Sequence, residues 1–409
     1  MTNDLYLTQE ALEKESRAMT LQRFDSQLTE RKQKKEESAT YYGAPLMKRA
    51  IEPVAKALRE KIAEAEAGRS GPRMTAIPTL KKFEPEIVAF FTAKTIIDKL
   101  TSRTNKLQTV ATQIGKNLED ELRYQAFQAQ HPWLFKKLQT EIDTTRARKR
   151  QNLVSAYNRY CDTWAAWSDV TYLHVGMLML DLFKEVTGFI EVVEQRLEKK
   201  RTLKIVVPSA EVINFIEKNY DAARMLNPVY LPMVVPPANW EGPRGGGYLT
   251  IHLKPLTLVK TRNRNYLEEL EAMPDQMAPV YDALNKIQST PWVVNDFVLA
   301  TFQCIHERGL ATAGLPSGEA LPVPASPLFK DQDSSKLSDE DKQKFKAWKK
   351  AATAVHEENI RLKSKRLMTA KIRLIAEKFS VYECIYFPHT MDFRGRIYPA
   401  PMYLNPQGN

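Results

Sequence analysis

Residues 386–409, which read YFPHTMDFRGRIYPAPMYLNPQGN, are the most informative stretch of the sequence. At its centre Arg394 and Arg396 flank Gly395, which has no Cβ and allows a ligand to approach the backbone closely. Asp392 can orient an arginine side chain through its carboxylate. This pattern is typical of a backbone turn that meets a phosphate group.

Two aromatic side chains belong to the same stretch. Phe393 and Tyr398 are potential stacking surfaces for nucleic-acid bases, which bind aromatic rings with little sequence preference. The alternative is a hairpin turn with ordinary surface charge, and the residues alone favour neither interpretation.

The whole chain is basic and has the composition of a folded protein. It carries 60 Lys plus Arg against 49 Asp plus Glu, a net charge of +11, and its pI is near 9.3. An excess of positive charge favours polyanionic partners, although many basic proteins bind no nucleic acid. Hydrophobic residues at 43% and charged residues at 27% exclude a disordered chain, and 409 residues are enough for two or three cores.

The cysteines and the first residues indicate the compartment. Cys161, Cys304 and Cys384 lie far apart with no CxxC spacing, which predicts neither a disulfide framework nor a zinc site. The start, MTNDLYLTQEALEKESRAM, is acidic and polar where a signal peptide would be basic and then apolar. No apolar run approaches the roughly 18 residues of a membrane span. We therefore expect a soluble, cytoplasmic protein.

The periodicity of apolar residues predicts a mainly α chain with small β elements. Amphipathic segments such as PEIVAFFTAKTIIDKL (85–100) and LQTVATQIGKNLEDELRYQAF (107–127) predict helices through the N-terminal half. After Thr187, the short β-branched runs GFIEVVEQ and TLKIVVP predict a hairpin at 189–207. Prolines and a triple glycine within 236–247 require turns and extended chain before helices resume.

The tip of the predicted hairpin is basic and contains one apolar side chain. An apolar group inserted between bases unstacks them, and basic neighbours can hold the separated strands. An ordinary solvated turn is the alternative, and composition alone favours it. The residues of the tip are Arg196, Leu197, Lys199, Lys200 and Arg201.

A glycine-containing loop, GRSGPRM at 68–74, carries two more candidate residues. Arg69 and Arg73 lie on a backbone that the sequence predicts to be flexible, which suits insertion of guanidinium groups into a narrow A·T-rich minor groove. Taken by itself, the loop is better explained as a plain surface loop.

A long helix with a basic tract is predicted after Ser338. Ser338 and Asp341 have the spacing of a capping box, with Asp in place of the usual Glu. Within 361–375 there is no acidic residue to neutralise the basic ones, and we favour phosphate contact over a solvated face. The tract contains Arg361, Lys363, Lys365, Arg366, Lys371 and Arg373.

The stretch 386–409 resembles the block that enters the palm of the single-subunit RNA polymerases of T-odd bacteriophages, which are relatives of the mitochondrial enzyme. Other stretches resemble the same family in the same order, from about residue 45 to residue 409. They are TSRTNKLQTVATQIGKNLEDELRY (101–124), WAAWSDVTYLHVGMLMLDLF (164–183), VVPPANWEGPRGGGY (234–248) and KSKRLMTAKI (363–372).

The resemblance implies a fold and a domain organisation. It implies a helical promoter-binding domain with an intercalating β-hairpin over residues 1–305, followed by a proline-rich linker at 306–337. Thumb helices are then expected at 338–385, and the first strands of a polymerase palm at 386–409.

The resemblance also implies roles for the residues singled out above. The Asp-x-x-Gly-Arg motif of the family contacts the template strand and the RNA–DNA hybrid, and Phe393 stands where the best-known member has tryptophan. The loop at 68–75 matches an A·T-rich promoter recognition loop, with Arg73 the better matched arginine. The hairpin at 189–207 falls where the family has its duplex-melting hairpin, and its tip differs from that of the best-known member. The expected template and hybrid contacts are Asp392, Phe393, Arg394, Gly395, Arg396, Tyr398, Lys363, Lys365 and Arg366.

The family's two metal-binding aspartates, its fingers helix and its promoter specificity loop match nothing in residues 1–409. We therefore expect this chain to be the N-terminal part of a DNA-directed RNA polymerase, inactive alone, with two Mg²⁺ ions held by residues outside it. Its expected partners are double-stranded promoter DNA, the template strand, the RNA–DNA hybrid, NTPs and a C-terminal segment or second polypeptide. The expected location is the cytoplasm of an infected bacterial host.

Two other classes of function remain open at this point. One is a stand-alone DNA-binding or regulatory protein derived from a polymerase and without catalysis. The other is a helical interaction protein whose basic surface is incidental.

Overall fold

A computed structural model of the chain describes residues 2–69, 71, 74–102, 105–145, 164–197, 201–261, 263–327 and 338–408. The chain forms two compact units, and the first helix contributes residues to both. The helical unit is Gln22–Leu226, and the C-terminal unit combines Met1–Leu21 with Asn227–Asn409. Helices dominate both units and strands are few, which confirms the predicted mainly α fold with small β elements.

The helical unit contains most of the predicted amphipathic helices. After the last part of α1 (Thr2–Gln33), its elements are α2 (Gly43–Glu66), α3 (Ile77–Leu80), α4 (Pro85–Ile97), α5 (Leu107–Gln130), α6 (Pro132–Thr145), α7 (Asp169–Thr187), β1 (Ile190–Leu197), β2 (Arg201–Pro208) and α8 (Ala210–Arg224). Apolar faces of α2, α4, α5 and α7 form one core, in which Leu46, Ile96, Ile114 and Phe183 are almost fully buried.

Helices α5 and α7 cross at backbone contact. A Cβ on Gly115 would lie 2.5 Å from the carbonyl oxygen of Tyr172, and one on Gly176 would lie 1.8 Å from that of Ala111, so both positions require glycine. The buried carboxylate of Glu119 accepts hydrogen bonds at the same crossing, including one from the Tyr172 hydroxyl. Burial would raise the pKa of Glu119, but this bond and others hold the pKa below its usual value.

The predicted β-hairpin is present in the helical unit. β1 and β2 are antiparallel, and the register runs from Ile190 opposite Pro208 to Leu197 opposite Arg201. Both strands run beyond the β-branched runs, because Arg196, Leu197 and Arg201, which the sequence placed in the tip, are paired in the ladder. Lys199 and Lys200 lie outside the described residues.

The C-terminal unit combines helices with long extended segments. Its elements, besides the first part of α1, are α9 (Arg264–Glu271), α10 (Pro274–Gln288), α11 (Asp296–Glu307), α12 (Asp339–Phe379), β3 (His389–Met391) and β4 (Ile397–Pro399). The predicted helix start is confirmed, because the Ser338 hydroxyl caps α12 by accepting the Asp341 N–H at 3.2 Å. The Asp341 carboxylate accepts a bond from the Ser338 hydroxyl at 2.7 Å, whereas a capping box would direct it to the Ser338 N–H.

Trp240 holds the glycine-rich segment, residues 236–247, against the rest of this unit. Its side chain is 1% exposed, and a Cβ on Gly246 would lie 2.3 Å from its ring. The main chain of Trp240 exchanges hydrogen bonds with the amide group of Asn285, at 2.7 and 3.0 Å. The indole Nε1–H donates to the carbonyl of His389 at 3.2 Å, which connects the segment to β3.

The first part of α1 is hydrogen-bonded to the residues that directly follow this glycine-rich segment. The buried carboxylate of Glu13 accepts the N–H groups of Leu249 and Thr250 at 3.0 and 2.9 Å. A buried carboxylate is tolerated only when it is hydrogen-bonded, so these bonds define the position of the segment against the helix.

We expect Gly246→Ala to lower the free energy of unfolding by about 1 to 3 kcal/mol, because the added methyl group overlaps the buried Trp240 ring. Urea unfolding of the 409-residue chain, followed by circular dichroism, measures the change. Gly242→Ala is the matched control, since no atom lies within 4 Å of a Cβ there, and it should stay within about 0.5 kcal/mol. Equal stability of the two variants would contradict the role of Gly246.

Candidate nucleic-acid interface

The motif that the sequence singled out forms the tip of a two-stranded hairpin. β3 and β4 are antiparallel, with His389 opposite Pro399 and Met391 opposite Ile397, and the turn between them covers residues 392–396. The turn therefore projects from a paired ribbon whose ends are fixed by main-chain hydrogen bonds.

Strand β3 is anchored in the C-terminal unit by the neighbouring segment at 258–260. The Met391 N–H donates to the Leu258 carbonyl at 2.6 Å, and the Lys260 N–H donates to the Met391 carbonyl at 3.3 Å. His389 is 3% exposed, and burial lowers the pKa of its imidazole, which favours the neutral ring. A neutral Nδ1–H donates to the Phe387 carbonyl at 2.7 Å.

The Asp392 carboxylate holds the turn together. One oxygen accepts the N–H groups of Arg394 and Arg396 at 2.8 and 3.0 Å. Gly395 has φ of +81°, a conformation that a residue with a side chain rarely adopts. Desolvation would raise the pKa of Asp392, but the N–H donors of Arg396 and Arg394 hold the pKa below its usual value.

The two arginines of the turn are not equivalent. The guanidinium of Arg394 donates to the second oxygen of Asp392 at 3.1 and 3.2 Å and lies 5.4 Å from the centre of the Phe393 ring. The side chain of Arg396 is exposed, and within the described part of the chain it has no hydrogen-bond or ion-pair partner. The predicted orientation of an arginine by Asp392 is confirmed, and Arg396 keeps a free charge.

Both aromatic residues of the stretch are accessible. Phe393 is 74% exposed and Tyr398 is 37% exposed. An exposed aromatic ring beside a basic turn is the arrangement by which proteins stack nucleic-acid bases.

The basic tract of α12 is more strongly paired than its sequence predicted. Arg361 forms an ion pair with Glu358 at 2.7 Å, and Arg373 approaches Glu377 at 3.4 Å. The expectation that these charges are not neutralised is wrong for both arginines. Their acidic partners lie just outside 361–375, one helical turn away along α12.

The other basic residues of the tract fall into two groups. Lys371 lies 5.0 Å from the centre of the Tyr403 ring, and Arg366 donates to main-chain carbonyls. Lys363 and Lys365 are exposed and make no hydrogen bond or ion pair among residues that the structure describes. Within the described chain, these two lysines are the members of the tract that have no hydrogen bond, ion pair or ring contact.

The candidate residues of the helical unit are described only in part. Arg69 is exposed and lies 4.0 Å from Glu64, whereas Arg73 lies outside the described residues. For the hairpin tip the structure gives the backbone of Arg196, Leu197 and Arg201 in the β1–β2 ladder.

An aromatic cluster near the start of α12 was not predicted as a functional feature. The rings of Phe345 and Trp348 stack at 5.3 Å with an angle of 19°, and the Lys349 ammonium lies 4.5 Å from the centre of the Phe345 ring. Their spacing of three and four residues is the signal that could have identified the cluster.

The described residues include no group of three or more His, Cys, Asp or Glu that could hold a metal ion. The donor set does not fit Mg²⁺, so no magnesium ligand is assigned within them. None of their helices combines the length and apolar character that crossing a lipid bilayer requires.

Comparisons with known proteins match both units. A family model described as DNA-directed RNA polymerase N-terminal matches residues 8–289. T7 RNA polymerase of Escherichia phage T7 is 31% identical over 98% of the chain, and the DNA-directed RNA polymerase of Enterobacteria phage T3 is 30% identical over 98%. DNA-directed RNA polymerase 1, mitochondrial, of Arabidopsis thaliana is 27% identical over 74% of the chain. The chain spans 45% of the length of each phage relative and 34% of the plant one.

We expect Asp392→Ala to loosen the turn at 392–396, because the N–H groups of Arg394 and Arg396 lose their acceptor. Deuterium uptake of the peptide covering residues 391–398 should become faster, while uptake within α5 stays unchanged. Asp392→Asn keeps an acceptor oxygen and should give an intermediate rate. Unchanged uptake in the alanine variant would remove Asp392 from this role.

Proposed function

The chain belongs to the DNA-directed RNA polymerase N-terminal family, and from this premise we propose that it binds promoter DNA, opens the duplex and holds the template strand and the RNA–DNA hybrid of a phage-type polymerase. The observation that carries the proposal is the turn at 392–396. There, one carboxylate orders the backbone while Arg396 and Phe393 remain exposed.

Arg396 is the residue best suited to contact a phosphate of the template or hybrid. An exposed guanidinium without an acidic partner is neutralised when it binds a phosphate, and a bidentate contact strengthens the bond. Asp392 and Gly395 act by shaping the turn, whereas Arg394 is already neutralised by Asp392. Phe393 and Tyr398 would supply stacking surfaces beside that phosphate.

Lys363 and Lys365 would add two phosphate contacts from α12. Both are exposed and make no ion pair within 4.0 Å among the described residues, so their binding to a phosphate breaks no close ion pair. The charge of Lys365 acts on Glu358 from a longer distance. Arg366 differs from them, because its guanidinium already donates to main-chain carbonyls.

Promoter binding and melting are assigned to the helical unit. Arg69 and Arg73 would enter an A·T-rich minor groove from the loop at 68–74. The β1–β2 hairpin would insert its tip at the edge of the opened duplex, with Leu197 as the wedge and Arg196, Lys199, Lys200 and Arg201 beside the strands. The eight-residue strands on each side of the tip support this assignment, since they form a long paired ribbon.

Nucleotidyl transfer is assigned to polypeptide outside residues 1–409. The relatives are named as RNA polymerases and are more than twice as long as the part that this chain matches. We propose that NTPs and two Mg²⁺ ions are bound by that other part, carried by the same or a second polypeptide. Transcription would then take place in the cytoplasm of an infected bacterium.

We expect Arg396→Ala to weaken binding of a fluorescent 10-base-pair RNA–DNA hybrid by roughly tenfold, which corresponds to about 1.4 kcal/mol. The slope of log K against log salt should fall by about 1, because one phosphate contact is lost. Titrations of residues 1–409 at several salt concentrations measure both quantities. Arg264→Ala is the control, since it removes the same charge from another exposed position. If both variants lose the same affinity, the loss comes from the lower net charge and Arg396 makes no specific phosphate contact.

A second experiment tests the division of labour. Residues 1–409 with Mg²⁺, NTPs and a promoter duplex should bind the duplex in a salt-dependent manner and incorporate no nucleotide. Addition of the remaining polymerase polypeptide from the same source should restore promoter-directed synthesis. Incorporation by residues 1–409 alone would overturn the assignment of catalysis to the other part. Salt-dependent binding with no synthesis in either mixture would favour a stand-alone DNA-binding protein.

A further inference from the structure

The proline-rich segment before α12 is bonded to that helix along its length. The indole Nε1–H of Trp348 donates to the carbonyl of Pro324 at 2.8 Å. Asn359 makes two bonds to Leu321, donating to its carbonyl at 2.9 Å and accepting its N–H at 2.7 Å. We call residues 317–324 the strap.

Arg366 makes the third attachment. Its Nη1 donates to the carbonyl of Gly318 at 2.6 Å and to that of Ser317 at 3.3 Å. All three attachments therefore join a side chain of α12 to the main chain of the strap. A segment that the sequence predicted as a linker is therefore hydrogen-bonded to α12 at three positions along the helix.

The attachments follow the geometry of the helix. Asn359 and Arg366 stand 11 and 18 residues after Trp348, which is close to three and five full turns of about 3.6 residues each. The three side chains thus share one face of α12. The strap runs antiparallel to the helix, since its residue numbers fall from 324 to 317 as those of the helix rise.

The lengths also agree. From Trp348 to Arg366 the helix rises about 27 Å, at about 1.5 Å per residue. Seven steps of extended chain from 317 to 324 reach about 23 Å. Pro322 and Pro324 restrict φ within the strap, so little conformational freedom is lost when an extended segment is held along the helix.

Helix α12 has little else to hold its first thirty residues. It is 41 residues long, and the residues of it that are buried are Ala352, Thr369, Ile375, Ala376 and Phe379. Before Thr369, only Ala352 of α12 is buried. Lys363 and Lys365 lie in this poorly packed part, about 60° to one side of the attachment face and about 100° to the other.

We infer that the strap sets the direction of α12. Trp348, Asn359 and Arg366 are then positioning residues, which hold α12 so that Lys363 and Lys365 meet the RNA–DNA hybrid. The inference rests on the proposed contact of these lysines with the hybrid. It changes the role of Arg366, which acts through the strap and touches no phosphate.

Substitutions at Arg366 separate positioning from contact. Arg366→Gln removes the charge but retains an amide N–H that can donate to the strap carbonyls, whereas Arg366→Ala removes both. We expect the glutamine variant of residues 1–409 to bind the fluorescent 10-base-pair hybrid within about twofold of the parent and the alanine variant to bind about fivefold more weakly. Equal weakening by both variants, together with normal binding by Asn359→Ala, would assign Arg366 to a direct phosphate contact and would overturn the inference.

A neutral attachment provides an independent test. Asn359→Ala removes two hydrogen bonds without changing charge, and it should weaken hybrid binding about fivefold. Gln343→Ala is the matched control, because it removes an exposed neutral amide of α12 far from both lysines and before the first strap attachment along the helix, and it should have no effect. Normal binding by Asn359→Ala would overturn the inference. Melting temperatures of all variants identify any general loss of folding.

The lysines themselves distinguish failure of the inference from failure of the proposed function. The double variant Lys363→Ala, Lys365→Ala should weaken binding at least tenfold, and adding Asn359→Ala to it should have little further effect. No loss in the double variant would remove α12 from hybrid binding, and the inference would fall with that contact. If the double variant loses binding as expected and the triple variant with Asn359→Ala binds a further fivefold more weakly, the strap does not act through the lysines.

Discussion

The burial of Trp240 is the constraint on which the candidate interface depends. A buried indole must find an acceptor for its N–H, and the acceptor here is the carbonyl of His389, at the start of β3. Room for the ring exists only because residue 246 is glycine. The glycine-rich segment, the indole and β3 therefore pack together. This packing fixes the ribbon of β3 and β4, which carries the turn at 392–396 at its end.

Local neutralisation then decides which basic residues retain a free charge. The sequence contains 60 Lys plus Arg, but many of those near the interface are engaged, as Arg394 is by Asp392 and Arg361 is by Glu358. A guanidinium that already has a carboxylate gains little from a phosphate, because the first bond must be broken or shared. Free charge is thus confined to fewer positions than the total of 60 Lys plus Arg indicates, with Arg396, Lys363 and Lys365 among them.

Sequence reasoning succeeded where structure is local. Periodicity predicted α4 and α5, a three-residue spacing predicted the Ser338 cap, and the chemistry of Asp392 predicted its hold on an arginine. It failed where partners are distant in the chain. The attachments of the strap join residues 24, 38 and 49 positions apart, and no short-range pattern encodes them. The pairing of Arg361 was within reach, because Glu358 is one helical turn away.

Bonds between side chains and main-chain groups order the backbone at two places in the candidate interface. In the turn a carboxylate accepts main-chain N–H groups, and along α12 side chains bind main-chain atoms of the strap. Main-chain groups are set by the path of the chain, so both arrangements order the backbone without engaging the neighbouring free cations. An ordered backbone reduces the conformational entropy that is lost on binding a polyanion, while free cations keep the gain from counterion release. A surface built in this way is suited to a polyanion that is held through its phosphates.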